Sequence, residues 1–231
     1  MPLDQLLLFI AAGLLLNLTP GPDVLYVVTH ALRSGARAGI EAALGITAGC
    51  FVHIVAAALG VSALMAASAT AFMVLKWAGA LYLVYVGLRL LLPAKKNATF
   101  LGAKYARSTG ATAANSAVNV FARGFTTNAL NPKVALFFLA FLPQFIAPTV
   151  ANKPLAFFLL GLLFTFNGMW VNIGWAVAAD WLMQRTTAQR AGTATRAAGD
   201  RGGLLLWLDR IAGTLFIAFG LKLALTDNPV S

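Results

Sequence analysis

"LNLTPGPDVL", residues 16–25, places two prolines, a glycine and an aspartate inside a long apolar run. A lipid-facing helix is best served by leucine at such positions. An unpaired backbone group in hydrocarbon costs several kcal/mol, so an interruption of this kind persists only where protein, water or a ligand satisfies the freed groups. Pro20 and Pro22 each remove a helical N–H and clash with the preceding turn. Thr19-Pro20 also reads as a fresh start, with a capping side chain followed by proline at the first helical position. The same grammar recurs at Asn131-Pro132, followed by Lys133.

The surrounding sequence supplies the solvent for this reading. The 231-residue chain is 60% hydrophobic and 10% charged, with a mean hydropathy of +0.81, whereas a soluble domain carries about 25% charge. Six stretches, about 3–31, 40–66, 70–92, 122–147, 154–183 and 204–226, reach the roughly 20 residues that a membrane-spanning helix needs. Alternating ten-residue segments of the membrane-barrel type are absent. The first stretch has no basic flank and no small-residue cleavage site, and is expected to be retained rather than cleaved as a signal peptide. A single cysteine, Cys50, leaves no partner for an intrachain disulfide.

The net charge of +10 would suit a nucleic-acid partner, but its distribution points elsewhere. Thirteen of the seventeen basic residues, from Arg33 and Arg37 through Arg89–Arg123 to Arg185–Arg210, fall after the first, third and fifth stretches. Lys76, Lys153 and Lys222 fall on the other side, and Lys133 lies inside a helix. This positive-inside bias predicts cytoplasmic basic loops, both termini outside, and no nucleic-acid partner. The connections at about 93–121 and 184–203 are rich in Ala, Gly, Thr and Arg and read as connectors without a domain of their own. Asn97-Ala98-Thr99, a sequon on the cytoplasmic side, reads as chance.

Two segment pairs repeat. "KWAGALYLVYVGLRL" (76–90) matches "RIAGTLFIAFGLKL" (210–223) with one gap, and "LTPGPDVLY" (18–26) lies over "LNPKVALFF" (130–138). The expectation is an all-α integral membrane protein, one transporter domain over 1–231: repeat one at about 1–92, a cytoplasmic linker at about 93–121, and repeat two at about 122–231. Three helices per repeat make the second half enter from the opposite side, so the repeat is inverted. Helices 1 and 4 are then broken at mid-membrane. Asp23 and Lys133 lie ten residues from Arg33 and Arg123 respectively, or roughly 15 Å at a rise of ~1.5 Å per residue, near the centre of a ~30 Å core.

Half-helix N-termini carry free N–H groups and a positive dipole end, which suit a carboxylate. A charge at the bilayer centre costs at least about 2.5–3.5 kcal/mol and needs a partner. Asp23 and Lys133 form either a permanent pair that pins helix 1 to helix 4, or a site in which Lys133 and the helix ends take a substrate carboxylate while Asp23 takes an ammonium group or a coupling proton. The cation at a helix N-terminus opposes the dipole there, which favours an arriving anion. The candidate substrate-binding set is Asn17, Thr19, Pro20, Gly21, Pro22, Asp23, Asn128, Asn131, Pro132 and Lys133, with Asp23 and His53 as proton-coupling candidates; a structural role is the simpler reading for a lone histidine. Asn167, Thr165 and Asn172 line a path or satisfy interhelical hydrogen bonds. Glu41 and Asp180 are expected to pair with loop arginines, Gly45 and Gly49 to allow close packing within or between monomers, and Trp77, Trp181 and Trp207 to sit at interfaces. No HExxH, GxSxG or Walker loop is present, so neither an enzyme nor an ATP-driven pump is indicated, and no cofactor or metal is expected.

The combination of "NLTPGPDVLYVV", "GFTTNALNPKVALFFLAFLPQF" (124–145) and the paired AGxL…GL(R/K)L segments resembles the LysE/RhtB family of bacterial amino-acid exporters over essentially the whole chain. The resemblance implies a six-helix inner-membrane protein that expels amino acids such as threonine, homoserine, leucine or lysine by proton antiport. The family's first motif falls on Thr19, Pro20, Gly21, Pro22 and Asp23, and its second on Asn131, Pro132 and Lys133. Relatives with Asn after the second proline would make Asp23 a determinant of substrate choice rather than a universal proton carrier. The partners implied are a small amino-acid substrate, the bilayer, protons and a possible second copy. Two other readings stay open: a cation or metal-ion exporter of the same superfamily with Asp23 as ligand, and a non-transporting membrane scaffold.

Overall fold

The computed structural model describes residues 2–92, 117–147 and 149–190, with nine positions between 210 and 225. The described residues are helical throughout, with no strand. Helix α1 (Leu3–Leu18) carries Asp4 in its first turn, where an acid suits the dipole, and stops at Thr19, whose backbone is extended. Helix α2 (Pro22–Val55) starts with proline at its head behind an extended Gly21. Inside it, Gly35 has φ 84° and ψ 172°, so the chain turns there between two helical arms. A side chain on Gly39 would stand 2.7 Å from the Ala31 Cβ. Positions eight apart on one straight helix are roughly 12 Å apart along its axis, so the arms fold back on each other. Glycine at 35 supplies the left-handed backbone, and small residues at 31 and 39 let the arms touch.

The second arm runs on through a π-helical turn (Ala56–Val61) into α3 (Ser62–Ala67). The Ser68 hydroxyl then accepts from the Ala71 N–H and caps α4 (Ala69–Leu91). Beyond the linker come α5 (Ala117–Ala129) and α6 (Pro132–Leu136), the latter continued by a π-helical turn (Phe137–Phe141) and a 3-10 turn (Leu142–Phe145). Ala117–Ala129 and Pro132–Phe145 meet at a 45° bend. Helix α7 (Lys153–Arg190) follows, and the nine described positions between 210 and 225 are helical.

Several boundaries differ from the expectation. Residues 32–39 are not a loop, because one glycine turns the chain. The linker expected over 93–121 is helical from Ala117, and α7 continues to Arg190 where a loop was expected from 184. There the Gln184 amide donates to Asp180 at 2.9 Å and the Arg185 guanidinium lies 3.8 Å from the Trp181 ring, i,i+4 contacts that carry the helix past its apolar part. Asp180 thus takes Gln184, while Glu41 pairs with Arg37 at 3.4 Å. Lys76, expected at the outer face, is buried within α4. Trp77 and Trp181 are exposed; Trp207 and most of 204–226 lie outside the described residues, as do 93–116.

By length and composition two helical runs can cross a membrane, Lys153–Arg185 and Pro22–Leu64, the latter turned at Gly35 into two arms, and the bent pair makes a third; Leu3–Leu18 is apolar but short. The expected count of six is therefore not reached among the described residues. Most of 204–226 lies outside the described residues, the interruption at 19–21 leaves Leu3–Leu18 short, and 22–64, folded at Gly35, counts as one run.

Small residues build the central contact. A side chain on Gly45 would overlap the Phe121 carbonyl and one on Gly49 the Phe125 carbonyl, while one on Gly124 would lie 2.7 Å from the Ala42 carbonyl. In lipid, helices associate by such close packing rather than by the hydrophobic effect. The GxxxG face is thus spent within the chain, holding the second arm of α2 to α5. Gly45→Val should destabilise the fold by about 1–3 kcal/mol through overpacking, read as a lower yield of monodisperse protein in detergent; wild-type yield would show that the arm and α5 can separate freely.

Candidate functional site

The interruption after α1 leaves two carbonyls without helical donors. In a continuous helix the N–H of residue 20 would reach Leu16 and that of residue 22 would reach Leu18, but both donors are replaced by proline rings. The last regular bond is Thr19 N–H to Leu15 at 3.0 Å, and the Thr19 hydroxyl donates to the same carbonyl at 2.6 Å. Lys133 serves the first of the two open carbonyls from the other half of the sequence, together with the Thr19 carbonyl. Its Nζ donates to the Leu16 and Thr19 carbonyls, both at 3.1 Å, and stands 3.6 Å from Asp23 Oδ1. The lysine was expected to oppose the dipole of its own helix; instead its ammonium reaches the C-terminal end of α1, where the dipole favours a cation. Gly21 makes room for this, since a side chain there would stand 2.6 Å from Asp23 Oδ1 and 2.9 Å from Lys133 Nζ.

The second interruption is built alike. The Asn131 side chain accepts from the Lys133 N–H at 3.0 Å and caps α6, with Pro132 at its head. Pro132 deprives the Asn128 carbonyl of its helical donor, and that carbonyl receives the Asn131 N–H at 2.8 Å and His53 Nε2 at 2.9 Å.

Beside these turns lies a small cavity of about 20 Å³, lined by Asn17, Asp23, Thr47, Cys50, Asn128, Thr165 and Asn172, with Ile46, Val134, Phe164, Gly168 and Met169. Asn17, Asp23, Asn128, Thr165 and Asn172 are all buried. Among the described residues, buried atoms without a hydrogen-bond partner include Asn17 Nδ2, Asp23 Oδ1, Asn128 Oδ1 and Asn172 Oδ1, and all four belong to residues of this lining. Buried polar atoms are normally paired, so such a concentration of unpaired ones marks a place where water or a ligand completes the bonding. The remaining polar contact is internal, with the Thr165 hydroxyl donating to Cys50 Sγ at 3.1 Å.

Of the expected site residues, Asn17, Asp23 and Asn128 line this cavity. Pro22, Asn131 and Pro132 instead line a separate groove with Thr126, Thr127 and Leu130, into which both proline-led helix starts open. Thr19, Pro20, Gly21 and Lys133 hold the interruption together and line neither space. His53 is buried on the Asn128 carbonyl with its ring against Phe138. Asn167 is outside the lining, whereas Thr165 and Asn172 belong to it. Sequence reasoning missed Thr47, Cys50, Gly168 and Met169 as lining residues. The signal was present: Thr165, Gly168, Met169 and Asn172 fall at i, i+3, i+4 and i+7 on α7, and Thr47 and Cys50 at i and i+3 on α2.

A family model described as LysE type translocator matches residues 14–227. The chain is 30% identical over 216 residues to a homoserine/homoserine lactone efflux protein of Salmonella typhimurium, covering 94% of each chain. It is 33% identical over 216 residues to an uncharacterized membrane protein of Pseudomonas aeruginosa, covering 90% of this chain and 88% of the relative. An uncharacterized membrane protein of Vibrio cholerae is 31% identical over 158 residues, 68% of this chain and 71% of the relative. No solved structure matches the chain.

Proposed function

The chain belongs to the LysE type translocator family, a family of membrane transporters rather than enzymes, and from that footing we propose that it exports small, net-neutral amino acids of the homoserine type from the cytoplasm. The observation that carries this reading is the cavity in which the carboxamides of Asn17, Asn128 and Asn172 keep unpaired atoms beside the Asp23 carboxylate, whose Oδ1 faces Lys133 at 3.6 Å. A carboxylate among amide oxygens suits an ammonium group with its three donors. The substrate carboxylate turns toward the neighbouring groove, into which the proline-led starts of α2 and α6 open and where their dipoles favour an anion. Asp23 and Lys133 together carry no net charge, so a zwitterion enters without leaving an uncompensated ion in a low-dielectric setting. The lining residues Ile46, Val134, Phe164 and Met169 leave an apolar wall for a short, uncharged side chain.

Transport on this reading is secondary, with Asp23 the coupling site for a proton moving inward as substrate leaves. The interruptions at 19–21 and 130–131 are mid-membrane breaks, related by an inverted repeat. Packing between the two matching segments supports the pseudo-twofold. A side chain on Gly87 would lie 2.5 Å from the Gly213 carbonyl, and one on Gly220 would lie 2.8 Å from the Ala80 carbonyl. In the alignment Gly79 matches Gly213 and Gly87 matches Gly220, so each contact joins the start of one segment to the end of the other, as a twofold requires. Two halves rocking about the cavity would open it to each side in turn. The basic connections support an inner-membrane protein with those loops in the cytoplasm.

The test is an export screen: cells loaded with dipeptides and expressing this chain should expel a small neutral amino acid faster than cells with empty vector. Equal efflux of every amino acid with and without the chain would remove the exporter reading.

A further inference from the structure

His53 does more than fill space. It is buried, its ring lies 28° from parallel to Phe138 with centroids 6.0 Å apart, and its Nε2 is 2.9 Å from the Asn128 carbonyl oxygen. A carbonyl only accepts, so Nε2 carries the hydrogen and donates it. The acceptor is the one whose helical partner is missing, because residue 132 is proline. Lys133 does the same for the other interruption, donating to the Leu16 carbonyl that Pro20 leaves open. The two repairs cross: a side chain from the second half serves the first, and a side chain from the first half serves the second.

We propose that His53 is a positioning residue for the substrate's amine. Its Nε2–H takes the place of the N–H that Pro132 lacks, fixes the last turn of α5, and so holds the Asn128 carboxamide in the cavity; it does not shuttle protons. This rests on reading the cavity as the substrate site, since Asn128 Oδ1 is one of its unpartnered atoms. The bond needs a donor at that place and nothing else. A proton relay would instead need the titratable ring itself, and the two requirements are met by different side chains.

Two variants separate the roles. His53→Phe keeps an aromatic ring against Phe138 and removes the donor, whereas His53→Gln keeps a donor and removes the titratable ring. Efflux by His53→Phe should show a KM raised roughly tenfold at unchanged membrane abundance, and His53→Gln should stay within about threefold of wild type. Independently of any transport, His53→Phe should lower the melting temperature of the purified protein by roughly 3 °C. In a Pro132→Ala background, which restores a backbone N–H for Asn128, the same change should cost little further. Wild-type efflux by His53→Phe overturns the proposal, and so does His53→Gln failing as badly as His53→Phe, which would mark the titrating ring as what matters. If wild type itself shows no efflux the exporter reading has failed, and the melting temperatures alone decide the brace: a full drop in the Pro132→Ala background contradicts it.

Discussion

Lys133→Met should abolish export, by at least about a hundredfold, while the protein still inserts in the membrane. The ammonium makes three contacts no apolar side chain replaces: the Leu16 carbonyl, the Thr19 carbonyl and the Asp23 carboxylate. Removing one partner of a buried ion pair costs about 3–5 kcal/mol because the other charge is left uncompensated. A loss of about 3 kcal/mol in holding the substrate-loaded site would be a hundredfold in export, at about 1.4 kcal/mol per factor of ten. The double variant Asp23→Asn, Lys133→Met removes both charges, so abundance should return to wild type while export stays lost. Normal efflux by Lys133→Met would reduce the lysine to an accessory of the α1 end.

Asp23→Asn has the second largest expected effect. It preserves size and leaves the cavity lined by amides alone, so the ammonium of the substrate loses its only anionic partner among the lining residues. A hydrogen bond to a charged group is worth about 1.5–3 kcal/mol, which predicts a KM for efflux raised between about tenfold and a hundredfold. Insertion should hold, with yield reduced as in Lys133→Met because the Lys133 ammonium loses its counter-charge. Unchanged efflux kinetics in this variant would reject Asp23 as both amine ligand and coupling site.

What was legible in the sequence follows from how local each cause is. A proline acts on its own turn, so the helix ends at Leu18 and Ala129 and the Asn131-capped start at Pro132 agree with the sequence reading, whereas the first new helix starts at Pro22 behind Gly21 and not at Pro20: Thr19 ends α1, its hydroxyl turned back to the Leu15 carbonyl instead of capping α2. Apolar composition likewise announced the helical, membrane-protein class. The turn at Gly35 was not legible, because a glycine with positive φ and a glycine in a loop look alike until Ala31 and Gly39 are seen to touch. The extent of α7 past residue 184 depended on side-chain contacts of Gln184 and Arg185 that an apolarity count ignores. In the site, Asn17, Asp23 and Asn128 stood out because polar residues in an apolar run are costly, whereas Thr47, Cys50 and Gly168 are ordinary in any helix and gain meaning only by facing the same space. The destination of Lys133 was the least readable feature: its neighbours in sequence predict a cation at the wrong end of a dipole, and only the tertiary fold supplies the right one.

The central claim is that the Asp23 cavity holds the ammonium group of the transported amino acid. Its most direct measurement is competition in proteoliposomes: exchange of labelled homoserine by the wild-type chain, challenged with unlabelled homoserine or with N-acetylhomoserine, which keeps the carboxylate and side chain but has no ammonium group. The account predicts that homoserine competes and its N-acetyl derivative does not. Equal competition by the two would contradict it.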